Sequence, residues 1–105
     1  MKICVTAQGD DLESQVDPRF GRCAYFIFAD TESDSFEGVA NPDVNIAGGA
    51  GIQPAQLVAQ KGVLIVFTGN VGPNASNTLG AAGVKMITGV SGTVKSVIEQ
   101  YKQKC

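Results

Sequence analysis

The sequence predicts an α/β domain built on a five-stranded mixed sheet in the order 3-2-1-4-5, with helices on both faces. Three observations predict it. The first 40 residues alternate strand and turn signals with no helical period. From Ile52 onward the pattern changes to helix–strand–helix–strand–helix. Val63-Leu64-Ile65-Val66-Phe67 is a continuous apolar run, the signature of a strand covered on both faces.

Each element has a local reason. Residues 2–7 alternate Ile3 and Val5 against Cys4 and Thr6, which reads as the first strand. Residues 8–22 are polar and glycine-bearing, and Pro18 fixes the path of a long loop. Tyr25 to Ala29 is an aromatic-rich second strand, and Phe36 to Ala40 is a third, joined to it by the polar turn Asp30 to Asp34. Pro42 to Gly51 has no period and reads as a second long loop. Ile52 to Lys61 reads as a helix, with Pro54 tolerated in its first turn and Gly62 closing it. Pro73 to Ala82 is the second helix, stopped by Gly83; Val84 to Thr88 is the last strand. Thr93 to Lys102 is the last helix, whose Val94, Val97, Ile98 and Tyr101 form a stripe toward the sheet. A hairpin followed by two right-handed crossovers sets the strand order, because the apolar fourth strand needs a neighbour on each side. No internal repeat or boundary divides residues 1–105, so a single domain is expected.

Composition excludes several classes. The formal net charge is −2, whereas nucleic-acid binding needs a basic face. No apolar run approaches the roughly 20 residues of a membrane span. Met1 to Val5 reads as a strand and not a signal peptide, so the cytoplasm is the expected location. Histidine is absent, which removes the commonest general base and every Ser–His or Cys–His arrangement. The three cysteines, Cys4, Cys23 and Cys105, show no CxxC spacing, which argues against a disulfide framework and a structural zinc site. Asp10, Asp11, Glu13, Asp30, Glu32, Asp34 and Glu37 fall in turns and on an edge hairpin. They read as a solvated surface and not as a two-metal centre.

Three stretches carry the functional signal. They are Val16-Asp17-Pro18-Arg19-Phe20-Gly21-Arg22, Gly48-Gly49-Ala50-Gly51, and Thr68-Gly69-Asn70-Val71-Gly72-Pro73-Asn74-Ala75. In the expected topology the carboxyl ends of strands one and four are adjacent, where open α/β sheets place ligands. Thr6-Ala7-Gln8 and Thr68-Gly69-Asn70 would meet there. Two helix starts, near Gly51 and Pro73, would aim unpaired N–H groups into the same crevice, which favours an anion. Gly48, Gly49, Ala50 and Gly51 would let the backbone approach a ligand. Gly69, Asn70, Gly72 and Asn74 would do so on the other side. The second glycine stretch lacks the Lys–Ser/Thr ending of a nucleotide-binding P-loop. Asp17 is expected to pair with one arginine and hold the loop, leaving the other of Arg19 and Arg22 for an anionic ligand. Phe20 is expected to anchor the loop in the core.

Taken in this order, the three stretches, with Tyr25-Phe26 after the first, resemble the dinitrogenase iron-molybdenum cofactor biosynthesis family. The resemblance runs from Lys2 to about Val97. It implies a three-layer, ribonuclease H-like arrangement and a protein that binds or carries metal–sulfur clusters. One branch of the family serves nitrogenase cofactor assembly. Another, which includes the orange proteins of sulfate reducers, binds a mixed molybdenum–copper sulfide. The cargo so implied is an anionic cluster of molybdenum with iron or copper, held for a metallocofactor assembly or acceptor protein by a monomer or weak dimer.

Cys23 is the candidate for a direct metal ligand, because positive charge on Arg22 next to it would lower its pKa. Its alternative is a small core residue, since the family usually has a small residue here. Cys4 reads as core, Cys105 as a terminal residue and Met86 as core. No base–nucleophile pair can be assembled, so no catalysis is expected. The other reading is a regulatory, partner-binding module of the same fold without a cluster.

Overall fold

The computed structural model describes residues 1–33, 35–41 and 52–104. Its elements, in chain order, are strands β1 (Lys2–Ala7), β2 (Tyr25–Asp30) and β3 (Phe36–Ala40), helix α1 (Ile52–Gln60), strand β4 (Ile65–Phe67), helix α2 (Pro73–Ala81), strand β5 (Lys85–Ile87) and helix α3 (Val94–Lys104). The strands form one sheet in the order β3-β2-β1-β4-β5. β1 and β2 are antiparallel, as are β2 and β3, whereas β1, β4 and β5 run parallel. The expected mixed sheet and strand order are therefore present.

Period-two alternation sorts the strand residues into two cores. Cys4, Phe26, Phe28 and Val66 turn to one face, where Ala55, Val58, Ala75 and Leu79 of α1 and α2 cover them. Ile3, Val5, Ile27, Ile65 and Phe67 turn to the other face, against Val94, Val97 and Ile98 of α3. Tyr101 completes that stripe, with its ring edge-on to Phe67 at 5.3 Å. The result is three layers, helix on sheet on helix.

β4 and β5 are shorter than their apolar runs. Leu64 is 53% exposed, because α1 has already ended and turned through Gly62 at φ 75°. Its backbone instead links Lys2 and Lys85, through a bond from Leu64 N–H to Lys2 O of 3.0 Å and one from Lys85 N–H to Leu64 O of 2.9 Å. Val84 gives its N–H to Leu79 O at 2.9 Å, so it closes α2 before β5 begins.

These bonds also orient the helices. α1 ends beside the start of β1, so its own start lies at the carboxyl edge of the parallel strands. α2 starts just after β4 and therefore begins at that same edge.

Candidate functional site

The site is built where the polypeptide after β1 doubles back over the sheet. Val16 bridges Ala7, and Asp17 N–H donates to Thr6 O at 2.9 Å. The Thr6 hydroxyl returns a bond to Asp17 O at 2.7 Å. Next, Pro18 crosses Gly69 so closely that a Cβ at residue 69 would lie 2.6 Å from Pro18 Cα and 2.8 Å from its carbonyl oxygen. Only glycine permits this approach. Arg19 then pairs with Asn70 in a parallel bridge, and Phe20 N–H donates to Asn70 O at 3.1 Å. The Phe20 ring is 1% exposed and sits 5.5 Å from Phe26, so it anchors the segment in the core. Residues 16–23 thus form a strap across the carboxyl ends of β1 and β4.

Thr68 and Gly69 are held from the other side. Their carbonyl oxygens accept N–H bonds from Val90 at 3.2 Å and Gly89 at 2.9 Å. Gly89 turns at φ 73° to reach them. The strap and the TGNVGP turn consequently share one edge, as the adjacency of Thr6 and Thr68 required. Gly48, Gly49, Ala50 and Gly51 lie outside the described residues.

The helix starts differ in what they offer. The first turn of α3 is closed: Val94 and Lys95 donate to Ser14 O and Leu12 O, both at 2.9 Å, and Ser96 N–H donates to Thr93 Oγ1 at 3.2 Å. α2 is open. Its cap is Gly72, which has no side chain to bond the first turn, and Pro73 follows. Among the described residues no acceptor outside the helix bonds the N–H of Asn74 or Ala75. A helix start left this way offers donors and partial positive charge to an anion.

The charges follow the same pattern. Asp17, 2% exposed, accepts bonds from Arg19 N–H at 3.0 Å and Arg19 Nε at 3.4 Å. The Arg19 side chain is 64% exposed, and no described group bonds its terminal amino groups. Arg22 is exposed, and no described group holds its guanidinium. Of the two arginines, Arg19 is therefore the tethered one and Arg22 the untethered one.

Cys23 departs from expectation. It is 0% exposed and packs with Cys4, Phe20 and Phe26. Burial first, and the nearby Asp17 carboxylate second, push its thiol well above the ordinary value. The shift is opposite to the one expected from Arg22, whose exposed charge is screened by water while Asp17 lies in the low-dielectric interior. Cys4, also buried, is likewise raised, by burial and then by Cys23. Cys105 lies outside the described residues. Among the described residues no group of three or more His, Cys, Asp or Glu side chains is placed to hold a metal ion. Asp10, Asp11, Glu13, Glu32 and Glu37 are exposed, and Asp34 lies outside the described residues.

Asn41 is the residue that reading the sequence missed. It is 4% exposed, and its Nδ2 donates to Gly21 O at 3.1 Å and Cys23 O at 2.9 Å, tying the strap to the end of β3. The available signal was an Asn between a strand and Pro42, a turn pattern whose side-chain partner only the fold supplies.

The fold and this edge define a small three-layer α/β protein that presents arginine, glycine backbone and an open helix start to a ligand. Its sequence matches the dinitrogenase iron-molybdenum cofactor family over residues 1–104. The chain belongs to that family. It is similar to the apo orange protein of Desulfovibrio gigas, with 39% identity, 98% of this chain and 88% of that one covered, and a TM-score of 0.93. It is also similar to a proposed NifB protein from Thermotoga, with 40% identity, 97% and 87% covered, and a TM-score of 0.85. An uncharacterised protein of Methanocaldococcus jannaschii is 25% identical over 104 residues, 96% of this chain and 85% of that one. Among the described residues no helix is long and apolar enough to cross a membrane.

Proposed function

We propose that this protein holds an anionic metal–sulfur cluster, of molybdenum with iron or copper, and passes it to an assembly or acceptor protein with no turnover of its own. The Arg19–Asn70 bridge carries this reading, because it sets the arginine strap against the open start of α2. Thiometalates are anions whose surface sulfurs accept hydrogen bonds. Backbone N–H groups and guanidinium retain such a species without a coordinate bond. The burial of Cys23 favours this non-covalent retention over thiolate ligation. Arg22 supplies the adaptable contact, Arg19 the fixed one. Gly69, Asn70, Gly72 and Asn74 supply the close-approaching backbone. The family and the orange protein of D. gigas support a cofactor-related role. In this reading the protein works in the cytoplasm as a monomer or weak dimer, and its layering is that of the ribonuclease H-like folds.

The test is anaerobic mixing of the pure protein with tetrathiomolybdate and copper(I), or with iron, sulfide and molybdate, followed by gel filtration. Visible absorption co-eluting with the protein at a fixed metal stoichiometry is the expected result. Elemental analysis of anaerobically purified native protein names the metals. A protein that stays colourless and metal-free in every mixture overturns the carrier role and leaves the regulatory, partner-binding reading.

A further inference from the structure

Asp17 is an unusual residue to find inside this edge. The proposed cargo is an anion, yet a carboxylate sits buried beside it. Three polar groups of Asp17 have partners that define its role. Its N–H goes to Thr6 O, its carbonyl takes the Thr6 hydroxyl, and one carboxylate oxygen takes both Arg19 N–H and Arg19 Nε. Turn geometry alone does not need the charge. An asparagine would accept the same backbone N–H and leave the bonds to Thr6 untouched. What the charge adds is its grip on the guanidinium. A carboxylate on Nε fixes the plane of the fork, and the side chain is 64% exposed, which leaves terminal amino donors accessible to a ligand. Among the described residues those amino groups make no bond.

We propose that Asp17 is a positioning residue, whose buried carboxylate aims the Arg19 fork at the anionic cargo. The inference rests on the anion-holding reading above. It has an unusual sign. If the field alone mattered, replacing Asp17 by Asn would tighten an anion, because a nearby negative charge is removed. If Asp17 acts by aiming Arg19, the same change weakens binding even though the site becomes more positive.

The experiment titrates ammonium tetrathiomolybdate alone into the wild type, Asp17→Asn, Arg19→Ala and the double variant under anaerobic conditions, read by visible absorption. The melting temperature of each unliganded protein is recorded alongside. Asp17→Asn is expected to weaken binding roughly five-fold, the loss of one oriented charge-assisted fork net of the gain in field. In the Arg19→Ala background the same change is expected to leave binding unchanged or to tighten it. Equal or tighter binding by Asp17→Asn alone overturns the proposal, and so does equal weakening in both backgrounds, which marks a general loosening of the strap. A wild type with no affinity for thiomolybdate overturns the anion-holding reading and this inference together, so the two failures are told apart. A measurement on the wild type alone covers the case in which Asp17→Asn does not fold. The Arg19 Nε–H is expected to exchange with water markedly more slowly than that of Arg22 by nitrogen-15 NMR, and equal exchange overturns the proposal.

Discussion

The hydroxyls of Thr6 and Thr68 meet at 2.8 Å with both residues fully buried, one at the end of β1 and the other just beyond β4. Because Thr6 gives its proton to Asp17 O, Thr68 is the donor within the pair. The relay runs Thr68 to Thr6 to Asp17 and joins two strands and the strap. Thr6→Val keeps the shape but strands the Asp17 carbonyl and the Thr68 hydroxyl. The expected cost is about 2 kcal/mol in urea unfolding, with faster amide exchange at Arg19 and Phe20. Thr68→Val strands no donor, and its expected cost is smaller, about 1 kcal/mol.

Gly69 is set by the Pro18 backbone and not by its own dihedral angles. Gly69→Ala places a methyl 2.6 Å from Pro18 Cα. Backbone on both sides must shift, with an expected loss of about 1–3 kcal/mol. The variant should also lose thiometalate affinity, since the strap and the helix start no longer meet in register. Thermal unfolding and the titration above check the two effects separately.

Gly72 gives a prediction with opposite signs. A Cβ there meets nothing within 4 Å, and φ is −71°, so any L-residue fits. Gly72→Asp adds a helix cap and a favourable charge at the start of α2, for an expected gain of about 0.5 kcal/mol. The same carboxylate occupies the donors proposed for the cargo, so anion binding should fall while the melting temperature rises. A variant that is more stable and binds normally places the anion elsewhere.

The buried thiols give the pH dependence. An ordinary thiol ionises near 9.0, and burial raises Cys23 and Cys4 above that when folded. Above pH 9 the unfolded chain releases these protons while the folded one keeps them, so the unfolded state binds fewer protons and stability falls as pH rises. The contribution is complete below that value. The expected slope is up to about 1.4 kcal/mol per pH unit for each thiol. Urea unfolding at pH 8 to 10 should show a shallower decline for Cys23→Ala than for the wild type.

Cys23→Ser addresses ligation directly. The buried hydroxyl is expected to cost about 1–3 kcal/mol in stability. Cluster stoichiometry and visible spectrum are expected to be unchanged, because the thiol points into the core. A changed spectrum at equal stoichiometry would show a sulfur–metal bond and overturn non-covalent retention.

The sheet was legible because its signals are local. Alternation in residues 2–7, the apolar run ending in Phe67, and the prolines and glycines bounding the helices each report on their own surroundings. The starts of β4 and β5 were less legible, because Leu64 is strand-like but exposed beyond the end of α1, and the Val84 N–H turns back to Leu79 of α2. At the site, the sequence placed the segments around residues 19–22 and 69–74 at one edge, and the Arg19–Asn70 bridge brings those segments together. For Cys23 the sequence left two readings open, and its burial agrees with the small core residue and not with a thiol activated by Arg22, since charge on an adjacent residue says nothing about which of the two faces the interior.

By itself, then, the sequence determined the order of elements and which residues prefer to be buried, since those depend on side-chain chemistry and spacing within a few residues. Only the tertiary structure decided which arginine Asp17 grips, which helix start stays open and on which side the Cys23 thiol lies. The Asp17–Arg19 grip is local in sequence, but the burial that gives it force, like the other two features, depends on groups far apart in the chain that become neighbours when β1 and β4 pair and exclude water.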